Sequence, residues 1–167
     1  MAIELFRLME KVTHMDMEIV AGREGMKNFV DWAHTVETND AIDFLKGGEI
    51  VFVTGLGLTD SFSLLDYIKK VHTKHAAGVV VNIGPYIEKI DQETLDYCDE
   101  IGLPLFVVPW RIHLAEIMRI FCFCISKTEQ KDHETAAAFK NAIFFPSERA
   151  LYIVPLSLAN FLATVSE

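Results

Sequence analysis

The chain has 167 residues, 51% of them hydrophobic, and a formal net charge of −9. That content supports one ordinary packed domain with an appended segment and excludes wholesale disorder. An acidic chain with a pI near 5.1 repels phosphate backbones, so no nucleic-acid contact is expected from this segment.

Residues 2–12 read as a short amphipathic helix with Leu5, Phe6, Met9 and Val12 on one side. The first residues lack the basic region and long apolar run of a signal peptide. A strand is expected at Glu18–Val20, then a turn through Gly22 and Gly25. Val30–Val36 reads as a strand with Trp32 and His34 on one face and Asp31, Ala33 and Thr35 on the other. Asn39 or Asp40 can cap a short helix to Leu45, which Gly47 and Gly48 end.

Ile50-Val51-Phe52-Val53 is a continuous apolar run, the pattern of a strand covered on both faces. A helix over 61–75 follows, with Leu64, Leu65, Ile68 and Val71 inward. A second buried strand covers 79–83. Asp91 caps a helix that runs to Ile101 and stops at Gly102. Leu105–Val108 is the third buried strand. The intervals match βαβ units, so the three strands should be parallel neighbours. The spacing predicts a helix over 113–127 with Leu114, Ile117, Met118, Phe121, Cys122 and Ile125 on its inner side. Ile120 and Phe123 lie opposite. The charged run Lys127–Glu134 is a solvated break or a continued helix, and 136–144 is again helical until Pro146. Tyr152–Val165 is apolar without a core of its own. Ile112–Ser126 is too short and too polar to span a bilayer, so no membrane contact is expected. The fold class is α/β: a small mixed sheet with a parallel βαβαβ centre, followed by C-terminal helices.

Two constellations carry candidate chemistry. Thr54, Gly55, Leu56 and Gly57 follow a buried strand and precede a helix, where parallel sheets bind ligands. The loop is neither a dinucleotide fingerprint nor a P-loop, and an ordinary βα turn needing positive φ is the plainer explanation. Trp32, His34 and Glu37 combine an aromatic plane, an imidazole and a carboxylate, suited to a planar hydrogen-bonding molecule. A core tryptophan, a satisfied histidine and a surface carboxylate are the plainer alternative. Asn82 completes the ligand-binding set. No metal or cofactor is expected: His72 and His75 lack partner ligands, and Cys122 and Cys124 point apart on a helix. Cys98 reads as a packing residue. Three cysteines form no disulfide framework, which fits reduced thiols in the cytoplasm. No nucleophile–base pair is recognisable, so the chain is not expected to be an enzyme.

The order Ile19-Val20-Ala21-Gly22-Arg23-Glu24-Gly25, Trp32-Ala33-His34-Thr35-Val36-Glu37, Gly47-Gly48-Glu49, Val53-Thr54-Gly55-Leu56 and Gly102-Leu103-Pro104-Leu105 resembles a known family. It is similar to the N-terminal domain of the purine catabolism regulator (PucR-like) family of bacterial transcription regulators, over about residues 5–125. The resemblance implies a sensory domain at 1–128, then a helical linker and the start of a truncated downstream region at 129–167. It implies a small-molecule effector, a purine catabolite or another nutrient, and a DNA-binding domain outside this chain. A homodimer using the helices after residue 112 or the tail is expected from their unpaired apolar residues. The alternatives are a ligand-free dimerisation module, or a small lyase or hydrolase using His34 and Glu37.

Overall fold

Three apolar runs set the centre of the fold, because a strand with no polar face must be covered on both sides. The computed structural model describes residues 2–144. In chain order its elements are β1 (Ile3–Glu4), α1 (Leu5–Met9), β2 (Glu18–Ala21), β3 (Phe29–Val30), β4 (Trp32–Thr35), β5 (Glu49–Val53), α2 (Leu64–Thr73), β6 (Gly78–Ile83), α3 (Gln92–Ile101), β7 (Leu105–Pro109) and α4 (Leu114–Phe144). Short 3₁₀ turns occupy Arg23–Lys27 and Ala41–Phe44. Five strands form one mixed sheet in the order β2-β7-β6-β5-β4. β4 to β7 are parallel, and β2 runs antiparallel at the edge beside β7. β1 and β3 make a separate two-stranded ladder. The three central strands are therefore the adjacent parallel set that their composition predicts, and the earlier strands extend the sheet at both edges.

Alternation along the strands divides the core. Ile50, Phe52, Val80, Phe106 and Val108 cluster with Leu5 and Leu8 of α1 and Ile117, Phe121 and Ile125 of α4. Val51, Val53, Val79, Val81 and Leu105 cluster with Tyr67, Ile68 and Val71 of α2 and Cys98 of α3. The rings of Phe52 and Phe121 lie 6.0 Å apart, tying α4 to the sheet. Burial of one such side chain stabilises by roughly 1.5–3 kcal/mol.

Caps set the crossover helices. Ser63 and Asp66 form a reciprocal capping box at the start of α2, so that helix begins later than the periodicity alone suggests. Thr59 and Phe62 are held in a bridge ahead of it. Beyond α2, His75 adopts a left-handed φ of 59°. Asp91 caps α3 through Thr94, and Gly102 ends it in the left-handed conformation, as its sequence predicts.

Three expectations change. The N-terminal helix is shorter, because residues 3–4 pair with β3. The strand at 30–36 breaks at Asp31, whose amide donates to the Gly48 carbonyl. The short helix near 40–45 is a 3₁₀ turn whose Ala41 amide bonds the Thr38 hydroxyl at 3.3 Å, with no side-chain cap from Asp40. Of the two alternatives for the Lys127–Glu134 run, the continued helix holds: 113–127 and 136–144 belong to one helix, α4, and the run is rich in helix-forming Lys, Glu and Gln. The chain divides into two compact units, Met1–Glu129 and Gln130–Glu167. The first holds the sheet. Pro146 and the Tyr152–Val165 tail lie outside the described residues.

Candidate functional site

The carboxyl end of β5 is closed by its own neighbours. The Glu37 carboxylate accepts the Thr54 amide at 2.9 and 3.2 Å. The buried Tyr67 hydroxyl donates to the Val36 carbonyl at 2.7 Å. Burial, and then the nearby Glu37 charge, push the Tyr67 phenol well above its ordinary range, so it stays a donor. A Cβ on Gly57 would stand 1.9 Å from the Glu37 carbonyl oxygen. Gly55 has a φ of 90°, and a Cβ there would stand 2.5 Å from Ile87 Cγ1. Backbone thus approaches backbone at Gly57, and the Ile87 side chain covers Gly55. Leu56 is exposed at the tip.

The structure brings Glu37, Thr54, Gly55 and Gly57 together but leaves Trp32 apart. Trp32 pairs with Glu49 in the ladder, five residues short of Thr54. At about 3.3 Å per residue that is roughly 16 Å along the sheet. Trp32 is not a core residue either: it is 48% exposed, because β4 is the outermost strand and its Ala33 is the residue turned to the α4 layer. His34 is exposed on the same face as Trp32.

The carboxyl ends of β6 and β7 are built differently. The buried Asn82 amide donates to the Val108 and Pro109 carbonyls at 3.2 and 3.3 Å, so it ties two strands together. Gly84 lies under the Trp110 ring, where a Cβ would meet Cε3 at 2.5 Å. Tyr86 and Trp110 pack edge to face at 6.0 Å, both about half exposed. Beside them lies a cleft of about 470 Å³ lined by Asp16, Glu18, Ile83, Val107, Pro109 and Arg111. The Arg111 guanidinium pairs with the Asp16 carboxylate at its mouth. Of this region sequence reasoning named Asn82 alone. The available signal was positional: Trp110-Arg111 occupies the same place after β7 that Thr54-Gly55 occupies after β5.

Reactive groups are scarce in the fold. Burial, with the Asp99 charge adding to it, pushes the Cys98 thiol up to about 12, so it is protonated and inert at neutral pH. Cys122 and Cys124 are half-buried on α4. Among the described residues no three His, Cys, Asp or Glu side chains gather as a metal-ligand set.

The remaining motif segments meet in space. A Cβ on Gly22 would stand 1.9 Å from the Leu103 carbonyl, and one on Gly25 would stand 2.2 Å from that of Gly102. The Gly22 amide donates to Asp99 at 2.6 Å. The buried Glu49 accepts the Lys46 and Gly47 amides at 2.8 Å each. Residues 7–125 match the purine catabolism regulatory protein-like family. The chain belongs to this family. Over 101 residues, 60% of its length, it is 26% identical to the purine catabolism regulatory protein of Bacillus subtilis (strain 168). It spans 19% of that protein's length. In this purine catabolism regulatory protein-like chain, the glycines and carboxylates that carry the resemblance act as backbone latches. Each of them holds one backbone segment against another. No helix among the described residues is long and apolar enough to cross a membrane.

Proposed function

We propose that this chain is the effector-sensing domain of a bacterial transcription regulator. In this reading it binds a small metabolite, a purine catabolite or another nutrient, at the carboxyl ends of its parallel strands. It passes the bound state along α4 toward a DNA-binding domain outside the chain. The reading assigns the chain no catalysis, a cytoplasmic location and no direct nucleic-acid contact. The family match over residues 7–125 carries it. The geometry supports it in one respect: α4 begins directly after the β7 turn, packs on the sheet through Ile117, Phe121 and Ile125, and continues as helix to Phe144. A ligand that moves the β7 turn therefore acts on the start of α4. We further propose a homodimer through the helix after residue 112, where Phe123 is 60% exposed.

The closure of the Gly55 loop by Ile87 favours a second reading, a dimerisation module without a ligand. A thermal-shift screen of purine catabolites, amino acids and sugar acids, paired with light scattering, separates the two. A ligand at 100 times its Kd stabilises the folded state by about 2.7 kcal/mol. A flat screen with a dimeric mass selects the module, and a monomeric mass removes the dimer.

A further inference from the structure

In open α/β sheets, ligands enter where neighbouring strands send their connections to opposite faces of the sheet, because the two departing chains leave a crevice between them. The core clusters locate that point. The connection after β4 packs Ile42 and Leu45 on one face, and α2 and α3, which follow β5 and β6, pack on the same face. Only β7 sends its helix, α4, to the other side. The divergence therefore falls between the carboxyl ends of β6 and β7. At β5 the next loop folds over in the same direction, and Ile87 fills the space above Gly55.

The crevice has walls suited to a small molecule. Ile83 pairs with Pro109, and Val107 pairs with Glu18, so these four residues lie side by side across three strands. Its volume of about 470 Å³ lies within the range of metabolite pockets. Arg111 offers a planar fork for a carboxylate, and Asp16 and Glu18 offer acceptors for N–H groups. The Arg111–Asp16 pair is no barrier, since both side chains are more than half exposed and exposed ion pairs contribute little. Asp16 has a left-handed φ of 47°, a conformation that Asp tolerates better than most residues.

Resting on the sensing reading above, we propose that the effector site is this β6–β7 crevice. It takes a small organic acid that also carries N–H donors: the carboxylate meets Arg111, the N–H groups meet Asp16 and Glu18, and the apolar body lies on Ile83, Val107 and Pro109. Entry there displaces the Pro109–Ile112 turn that leads into α4.

N-carbamoylglycine, which has one carboxylate and a urea, is the probe, and its uncharged amide is the control. Titration into the isotope-labelled chain, followed by amide chemical shifts, is expected to give saturable changes at residues 16–18, 82–84 and 109–112. Arg111→Ala is expected to weaken binding about tenfold or more, and Glu18→Gln to weaken it less. Both residues lie at the surface, and an unchanged melting temperature certifies the fold of each variant. Shifts centred on residues 54–57, equal binding of the uncharged amide, or no saturation would each overturn the proposal. The sensing reading fails separately, if no compound of the wider thermal-shift screen binds. A hit from that screen whose affinity is unchanged in Arg111→Ala sinks this location and leaves sensing intact.

Discussion

The carboxyl ends of β5 and of the β6–β7 pair are opposites in construction. At β5, Glu37 occupies the Thr54 amide, Gly57 abuts the Glu37 carbonyl and Ile87 covers Gly55. At β6–β7 the contacts are side chain on backbone or ring on ring: Asn82 to two carbonyls, Trp110 over Gly84, and Tyr86 against Trp110. Both ends follow buried parallel strands, and both carry glycine. What separates them is the direction of departure. Strands whose connections leave on the same side stack their loops and close the gap. Strands whose connections part leave it open.

The glycines give the largest test of this contrast. Gly57→Ala drives a Cβ into a backbone carbonyl that cannot move without opening the β4–β5 junction. We expect a loss of about 3 kcal/mol or more in urea unfolding, or no soluble protein. Gly84→Ala meets the Trp110 ring, which can swing toward solvent, and the Trp110 Cβ at 2.9 Å, which must give by a few tenths of an ångström. The expected loss is about 1–2 kcal/mol with a changed tryptophan emission. Equal costs at the two positions would break the comparison.

Polar latches come next. Glu37→Ala leaves the Thr54 amide without its partner, and Asn82→Ala removes two bonds that cross from β6 to β7. Each is expected to cost about 1–2 kcal/mol by chemical denaturation. Hydrogen exchange sharpens the contrast: Glu37→Ala should expose residues 54–58, and Asn82→Ala should expose 108–111. Exchange that rises at both ends in both variants would mean that they form one unit.

Helix entry and pH give a smaller effect. Ser63→Ala removes the cap of α2, the helix that leaves the closed end, at an expected cost of about 1 kcal/mol. The Ser63 hydroxyl, and then its amide, hold the Asp66 carboxyl below its ordinary 3.8. Lys70, and then Lys74, do the same for Asp43. A carboxyl whose folded value is lowered stabilises above its unfolded value, and that contribution is lost as pH falls through the lowered one. Acid melts should therefore show this stability intact above pH ~4 and declining below it. In Ser63→Ala the hydroxyl's part of the Asp66 share should be missing, and the part owed to the residue 63 amide should remain.

The smallest effect belongs to the open end. Arg111→Ala removes a surface ion pair and should change stability by no more than about 0.5 kcal/mol. A larger loss would show that Arg111 braces the fold, and the open end would then be a second latch.

Much of the sheet was legible. Ile50–Val53, Val79–Val81 and Leu105–Val108 have no polar face, so their burial on both sides follows from composition. Asp91 and Gly102 mark α3 because capping is local chemistry. The candidate site was legible only in part. Glycines in Thr54-Gly55-Leu56-Gly57 signal close approach, but not of what. Here they admit Ile87 and a carbonyl of the same chain. Trp32 and His34 share a face, as alternation requires, yet alternation does not say that β4 is the edge strand and the face stays open.

The sequence by itself determined the periodicities, the caps and the order of strands and helices, because each depends on neighbours within a few turns of chain. The family was legible as well, in motif residues that act as backbone latches in this chain. Tertiary structure alone decided which strand lies at the edge, which glycine loop is filled and where the sheet's connections part. Those depend on which face each helix covers, and that choice is made by long-range packing: Phe121 of α4 against Phe52 on one side, and Val71 of α2 and Cys98 of α3 beneath the other.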